Sequence, residues 1–134
     1  MTGPRNDDIR LAGKAVTVSY LADPVVGHGR FEIDNQSAEK AEIQILGAWM
    51  KLGSDVRELS GWSIFDLGSE RTLDPDGFIV EPGTKLDFLL TFPRIPHEPQ
   101  FDARCSIALR AMAGSLPISA ESVIVFERRI PFRH

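Results

Sequence analysis

Residues 78–92, FIVEPGTKLDFLLTF, join a Pro82-Gly83 turn signal to a run in which apolar and polar side chains alternate almost without a break. Proline presets φ for such a turn, and glycine accepts the positive φ that follows. Alternation at period two then sets Leu86, Phe88, Leu90 and Phe92 on one face and Lys85, Asp87 and Thr91 on the other. A strand with one wet and one apolar side is not stable until another layer covers the apolar side. The chain must therefore build a second layer over it.

The rest of the sequence supplies it. Short apolar-alternating runs recur about every ten residues, separated by Gly, Pro, Asp and Asn, which is the rhythm of sandwiches and barrels. Strands are expected at Lys14–Leu21, with Val16, Val18 and Tyr20 sharing a face, and at Gly29–Asp34, with Phe31 and Ile33 inward. Others follow at Glu42–Leu52, Trp62–Leu67, Phe78–Val80, the strand ending at Phe92, Arg104–Met112 and Ser119–Arg128. In Arg104–Met112 the period places Cys105, Ile107, Leu109 and Ala111 on a single face. Asn35-Gln36-Ser37 and Asp74-Pro75-Asp76-Gly77 read as turns, because Asn, Asp and Ser side chains bond to nearby backbone. The proline-rich stretch from Pro93 to Pro99 reads as a loop crossing between sheets.

Only SAEKAEIQILGAWMKL has a helical composition, and its middle reads equally well as strand. Its parity is divided: Ile43 and Ile45 share one face, and Met50 and Leu52 fall on the other unless a bulge at Gly47 shifts the phase. Either Trp49 or Met50 then points outward.

These readings give an all-β architecture of about seven to eight antiparallel strands in one domain, residues 1–134, with residues 1–12 as a loosely packed N-terminal segment. A chain of 134 residues suits one hydrophobic core. A net charge of -4 disfavours a nucleic-acid partner, which is held by clustered Lys and Arg. MTGPRNDDIRLAG lacks the apolar core of a secretory signal, and no run approaches the roughly 18 apolar residues of a membrane helix. A cytoplasmic location with no membrane partner is expected. Cys105 is the single cysteine, so stability must come from packing without an internal disulfide.

The order from Arg30 to Pro93, a strand, an Asn-containing turn, a second strand and then EPGTKLDFLLTF, resembles a generic immunoglobulin-like or fibronectin-III-like β-sandwich. The resemblance implies a fold and no particular activity. The cysteine pair of antibody domains is missing, as is their tyrosine before the penultimate strand. EPGTKLDFLLTFP with DARCSIALRAM also looks like the later strands of PilZ-type cyclic-dinucleotide receptors, which implies a small-ligand-binding barrel. Those receptors hold their ligand with an R-x-x-x-R element and a D/N-x-S-x-x-G turn. Here Arg5 and Arg10 are spaced differently, and Asn35-Gln36-Ser37 meets Lys40 at the glycine position.

Motifs with intrinsic chemistry are sparse. Cys105 and Met112 lack the intervening His of a copper site, and His28, His97 and His134 lack paired zinc spacing. Asp74, Asp76 and Glu81 could line a Ca²⁺ loop, although turn chemistry accounts for both aspartates. Neither a G-x-S-x-G elbow nor a phosphate-binding glycine loop occurs. Loops Ser69–Gly77 and Pro93–Phe101 at one end are the place for an enzyme or ligand site, and Trp62 could stack on a sugar ring. The locally basic ERRIPFRH reads as a solvated tail. No catalytic residue, cofactor or metal is expected.

The functional hint lies on an outer face. The third strand and the last two belong to one sheet, and its nominally exposed positions are apolar: Leu46, Trp49 or Met50, Ala108, Ile124 and Phe126. A contiguous exposed apolar patch marks a partner surface, unless ESVIVFERR is covered on both faces by its own chain. The expectation is a non-catalytic binding or assembly module that forms a homodimer through this sheet.

Overall fold

A computed structural model describes residues 8–20, 26–93, 103–111 and 116–128. Among the described residues eleven strands run in chain order: β1 (Ile9–Lys14), β2 (Val16–Tyr20), β3 (Val26–Asn35), β4 (Ala41–Leu52), β5 (Asp55–Glu58), β6 (Ser63–Asp66), β7 (Arg71–Leu73), β8 (Phe78–Val80), β9 (Lys85–Pro93), β10 (Ala103–Arg110) and β11 (Ile118–Arg128). One sheet has five strands in the order β1-β3-β9-β6-β7. The other has six, in the order β2-β11-β10-β4-β5, with β8 also pairing β4. The architecture is an immunoglobulin-like β-sandwich, and among the described residues no helix is long and apolar enough to cross a membrane.

The alternation of residues 85–92 does what period two requires. Phe88, Leu90 and Phe92 are buried, and Phe88 stacks on Phe31 of the neighbouring β3 with ring centroids 5.7 Å apart. Phe78 of β8 meets the same Phe88 ring edge-on at 6.4 Å, which brings the second sheet into the core. Ile33, Ile43, Met50, Ile64, Ile107 and Leu109 complete a core drawn from both layers.

Three strands exceed the expected count, each for a physical reason. Asp55–Glu58 and Arg71–Leu73 are short edge strands rich in charge, without the apolar alternation that marks a half-buried strand. The third, β1, lies in the segment expected to be loosely packed. Instead Ile9 is 3% exposed, and Ile9–Lys14 pairs antiparallel with Arg30–Asn35. The expected strand from Lys14 to Leu21 is thus two elements on different sheets, since β1 joins the five-stranded sheet and β2 pairs parallel with β11 in the other. Gly13 permits the crossing: a Cβ there would collide with the Glu121 backbone carbonyl of β11. Ser122 then locks it. Its hydroxyl donates to the Lys14 carbonyl at 2.6 Å and accepts the Arg30 amide at 3.0 Å, standing between two residues paired in the β1–β3 ladder.

The turn at Asn35 is more than a reversal. Its buried side-chain amide donates to the Glu39 and Val80 carbonyls at 2.9 and 3.0 Å, and its oxygen accepts from the Ser37 amide and hydroxyl at 3.0 and 2.7 Å. Its backbone amide donates to the Thr84 carbonyl, and its carbonyl accepts from Gly83. One residue therefore joins the β3–β4 turn, β8 and the β8–β9 turn.

Candidate functional site

The parity of β4 changes where the sequence left two possibilities open. Ile45 pairs Leu109 and Gly47 pairs Ala108, so Leu46 is the extra residue of a bulge. Ile43 and Ile45 point inward before it, and Ala48, Met50 and Leu52 after it. Trp49 is the outward residue, with its ring lying over Gly47, where a Cβ would meet it at 2.9 Å. Met50 is 0% exposed and belongs to the core, so it leaves the outer set.

A second correction concerns β11. Ser122 and Ile124 face inward, Ile124 is 4% exposed, and Phe126 packs against the core from a half-buried position. The run SVIVF is apolar at both parities, so alternation could not decide its facing. Ser122 decides it, because a buried hydroxyl bound to β1 and β3 must lie on the core side. The outward residues are Val123 and Val125, at 38% and 50% exposure. Leu46, at 38%, and the half-buried Ala108 keep their expected outward placement.

Register assembles the face row by row. Val56, Lys51, Arg104 and Val123 stand side by side across β5, β4, β10 and β11, and Glu58, Trp49, Ser106 and Glu121 form the adjacent row. Val125 stands beside Thr17 of β2. Glu121 accepts ion pairs from Lys51 and, at 3.5 Å, from Arg104. Its bond to Lys51 holds the carboxyl below its ordinary range against the opposing effect of burial, with a lesser contribution from the cation of Arg104. The apolar set is thus divided. Val56, at 56% exposure, lies on one side of the ion triad, while Val123 and Val125 lie on the other, beside β2.

Most of the remaining sequence candidates among the described residues are engaged structurally. Asp66 accepts from the Gly68 amide and the Ser69 hydroxyl, and Asp74 accepts from the Asp76 amide at 3.0 Å, so the loop from Ser69 to Gly77 uses these carboxylates to shape its turns. Asn35 and Ser37, on the turn set against the cyclic-dinucleotide receptors, spend their polar atoms on each other and on backbone. Trp62 is half-buried against the core, which limits the ring surface left for stacking on a sugar. Cys105 is buried, and that burial pushes its thiol up to about 12, so it packs as an apolar side chain. His28 sits half-buried on the opposite sheet, with Nδ1 at 3.2 Å from the Thr91 hydroxyl, and burial lowers its pKa. Arg5, His97, Met112 and His134, and residues 94–101 of the second end loop, lie outside the described residues.

No protein-family model matches the chain, and no curated protein matches it either. Solved structures do. A fimbrial protein from the fibronectin-binding and biofilm-forming AAF fimbriae of enteroaggregative Escherichia coli superposes with a TM-score of 0.52 at 13% identity, over 87% of this chain and 99% of that one. A FixG-related protein from Vibrio parahaemolyticus gives 0.50 at 14% identity, over 88% and 94%. The class 5 fimbriae chaperone CfaA gives 0.50 at 12% identity, over 90% of this chain and 57% of that one. At these identities the likeness is one of fold: the chain is similar to immunoglobulin-like sandwiches of several functional kinds.

Proposed function

We propose that this protein is a non-catalytic binding and assembly module that works by self-association through its six-stranded sheet, with a second copy as its partner. One observation carries the reading. Exposed valines stand on the outer face of that sheet beside β2, where Val123 and Val125 occupy positions that a solvated strand fills with polar residues. The perturbed titratable groups support the non-enzymatic part. Arg30 with Asp87, Glu121 with Lys51, and buried Cys105 lie on different faces, and each shift is explained by a structural partner or by burial. The fimbrial and chaperone likenesses are compatible with assembly as the use of this fold. The cytoplasmic setting expected from the sequence belongs to the same proposal.

Light scattering on the full chain tests it. The expected result is a concentration-dependent mass rising from 14.9 kDa towards twice that value. The double variant Val123→Glu/Val125→Glu, on exposed positions, keeps the far-ultraviolet β spectrum and remains monomeric. A wild-type chain that is monomeric at every concentration removes the self-association reading.

A further inference from the structure

The edges of the sandwich are defended unequally. The outer edge of β4 is occupied by β8 at Ala41–Ile43, by the Pro75 carbonyl accepting the Ile45 amide, by the Leu59 amide donating to Ala48, and by β5 at Trp49–Leu52. Beyond it, β5 carries Asp55, Arg57 and Glu58. At the margins of the other sheet, β7 is three residues long and begins with Arg71, and β1 carries Arg10 and Lys14. Short length and charge are the means by which edges avoid pairing with other chains.

Strand β2 has neither defence. VTVSY is five residues of β-branched, hydroxyl and aromatic type without a charge. It pairs β11 on one side, and among the described residues no strand pairs the other.

We propose that the free edge of β2 pairs antiparallel with β2 of a second copy across a twofold axis, joining two six-stranded sheets into one. Centred on Val18, this arrangement places Val18 opposite Val18, Thr17 opposite Ser19, and Val16 opposite Tyr20. Thr17 and Ser19 then meet on the outer face and Val18 meets Val18 on the other, with no like charges opposed. The same operation on β5 would set Asp55 against Glu58. A five-residue strand pair is small beside the area a stable dimer buries, so the dimer it makes is weak and dissociates on dilution. The proposal rests on self-association for its partner and goes further in assigning the edge that makes the contact.

A mixture of isotope-labelled and unlabelled full-length chains separates the possibilities by isotope-filtered NMR, with sedimentation across a dilution series. The expected result is a dimer that dissociates on dilution and shows intermolecular contacts between Thr17 and Ser19 and between the two Val18 residues. Thr17→Lys/Ser19→Lys, on two exposed positions, keeps the fold by circular dichroism and weakens the dimer about tenfold or more through opposed like charges. A dimer whose intermolecular contacts come from Trp49 and Val123 alone, and which this variant leaves intact, overturns the edge pairing while self-association stands. Intramolecular contacts from residues 129–134 along β2 overturn it equally. A monomer at all concentrations removes both readings.

Discussion

The outer faces of the two sheets treat charge alike and apolar surface differently. On the five-stranded sheet, Lys14 pairs Glu32 at 3.0 Å, and Arg30 grips Asp87 through two bonds, Nε to Oδ1 at 3.1 Å and Nη2 to Oδ2 at 2.6 Å. On the six-stranded sheet, Glu121 gathers Lys51 and Arg104. Both faces therefore hold their charges in ion pairs. Around its pairs the five-stranded face keeps Phe65 and Leu89 half-buried, whereas the six-stranded face leaves Val123, Val125 and Val56 in water. What separates the proposed docking face from the solvated one is the apolar remainder after the ions are paired.

The largest effect is expected where both faces hang from one joint. Gly13→Ala drives a Cβ into the Glu121 carbonyl, and because both partners are backbone the clash is relieved only by moving β1 off β11. A loss of about 3 kcal/mol or more is expected in urea unfolding. Ser122→Ala attacks the same joint more gently, leaving the Lys14 carbonyl and Arg30 amide without their bridge, for about 1 to 3 kcal/mol. If Gly13→Ala is no worse than Ser122→Ala, the close approach of β1 to β11 is not what couples the sheets.

Second only to Gly13→Ala in size is Asn35→Ala, which removes four side-chain hydrogen bonds from a buried site, one of them to the Val80 carbonyl. A loss of about 3 kcal/mol is expected. Amide exchange should quicken in both the β3–β4 and β8–β9 turns. Faster exchange confined to residues 36–40 would mean that Asn35 serves one turn only.

How much of this was legible depended on how one-sided each strand is. Residues 85–92 and 103–109 alternate cleanly, and their buried faces came out as the period required. Where both parities are apolar, as in SVIVF, alternation carries no information, and a single hydroxyl, Ser122, settles the facing through partners 92 and 108 residues away in sequence. Strand β1 was missed for a related reason. Its outward positions carry Arg10 and Lys14 beside a glycine, and only the long-range approach to β11 shows why that glycine is there. The bulge at Leu46 was foreseeable as a parity conflict, but its direction needed the partner strand.

A matched pair of surface changes sharpens the contrast between faces. Val125→Thr on the six-stranded face and Arg30→Met on the five-stranded face should each move stability by about 1 kcal/mol or less, since both sites are partly solvated. Sedimentation should tell them apart. The threonine weakens self-association, and the methionine leaves it unchanged. Equal weakening by both would mean that the two faces are not functionally distinct.

The smallest effect is expected in acid, and it assigns different pH windows to the two faces. His28, whose pKa burial lowers from 6.5, binds its proton less readily folded than unfolded, so stability falls as pH drops below 6.5 and levels off below the folded value. Asp87 is lowered from 3.8 mainly by its bond to Arg30. Its contribution is complete above 3.8 and disappears as pH falls through the folded value. Glu121, lowered from 4.5 chiefly by Lys51, behaves likewise in its own lower window. Each pair is exposed enough for solvent to limit its share to a few tenths of a kcal/mol, about the size of other surface pairs. Arg30→Met should therefore flatten part of the acid limb below pH 3.8 and leave the His28 step in place, whereas Lys51→Met should flatten the part below pH 4.5. Urea midpoints across the acid range measure this. An acid limb unchanged by either substitution would show that the ion pairs contribute nothing to folding, leaving Ser122, Asn35 and the apolar core as the whole support of both faces.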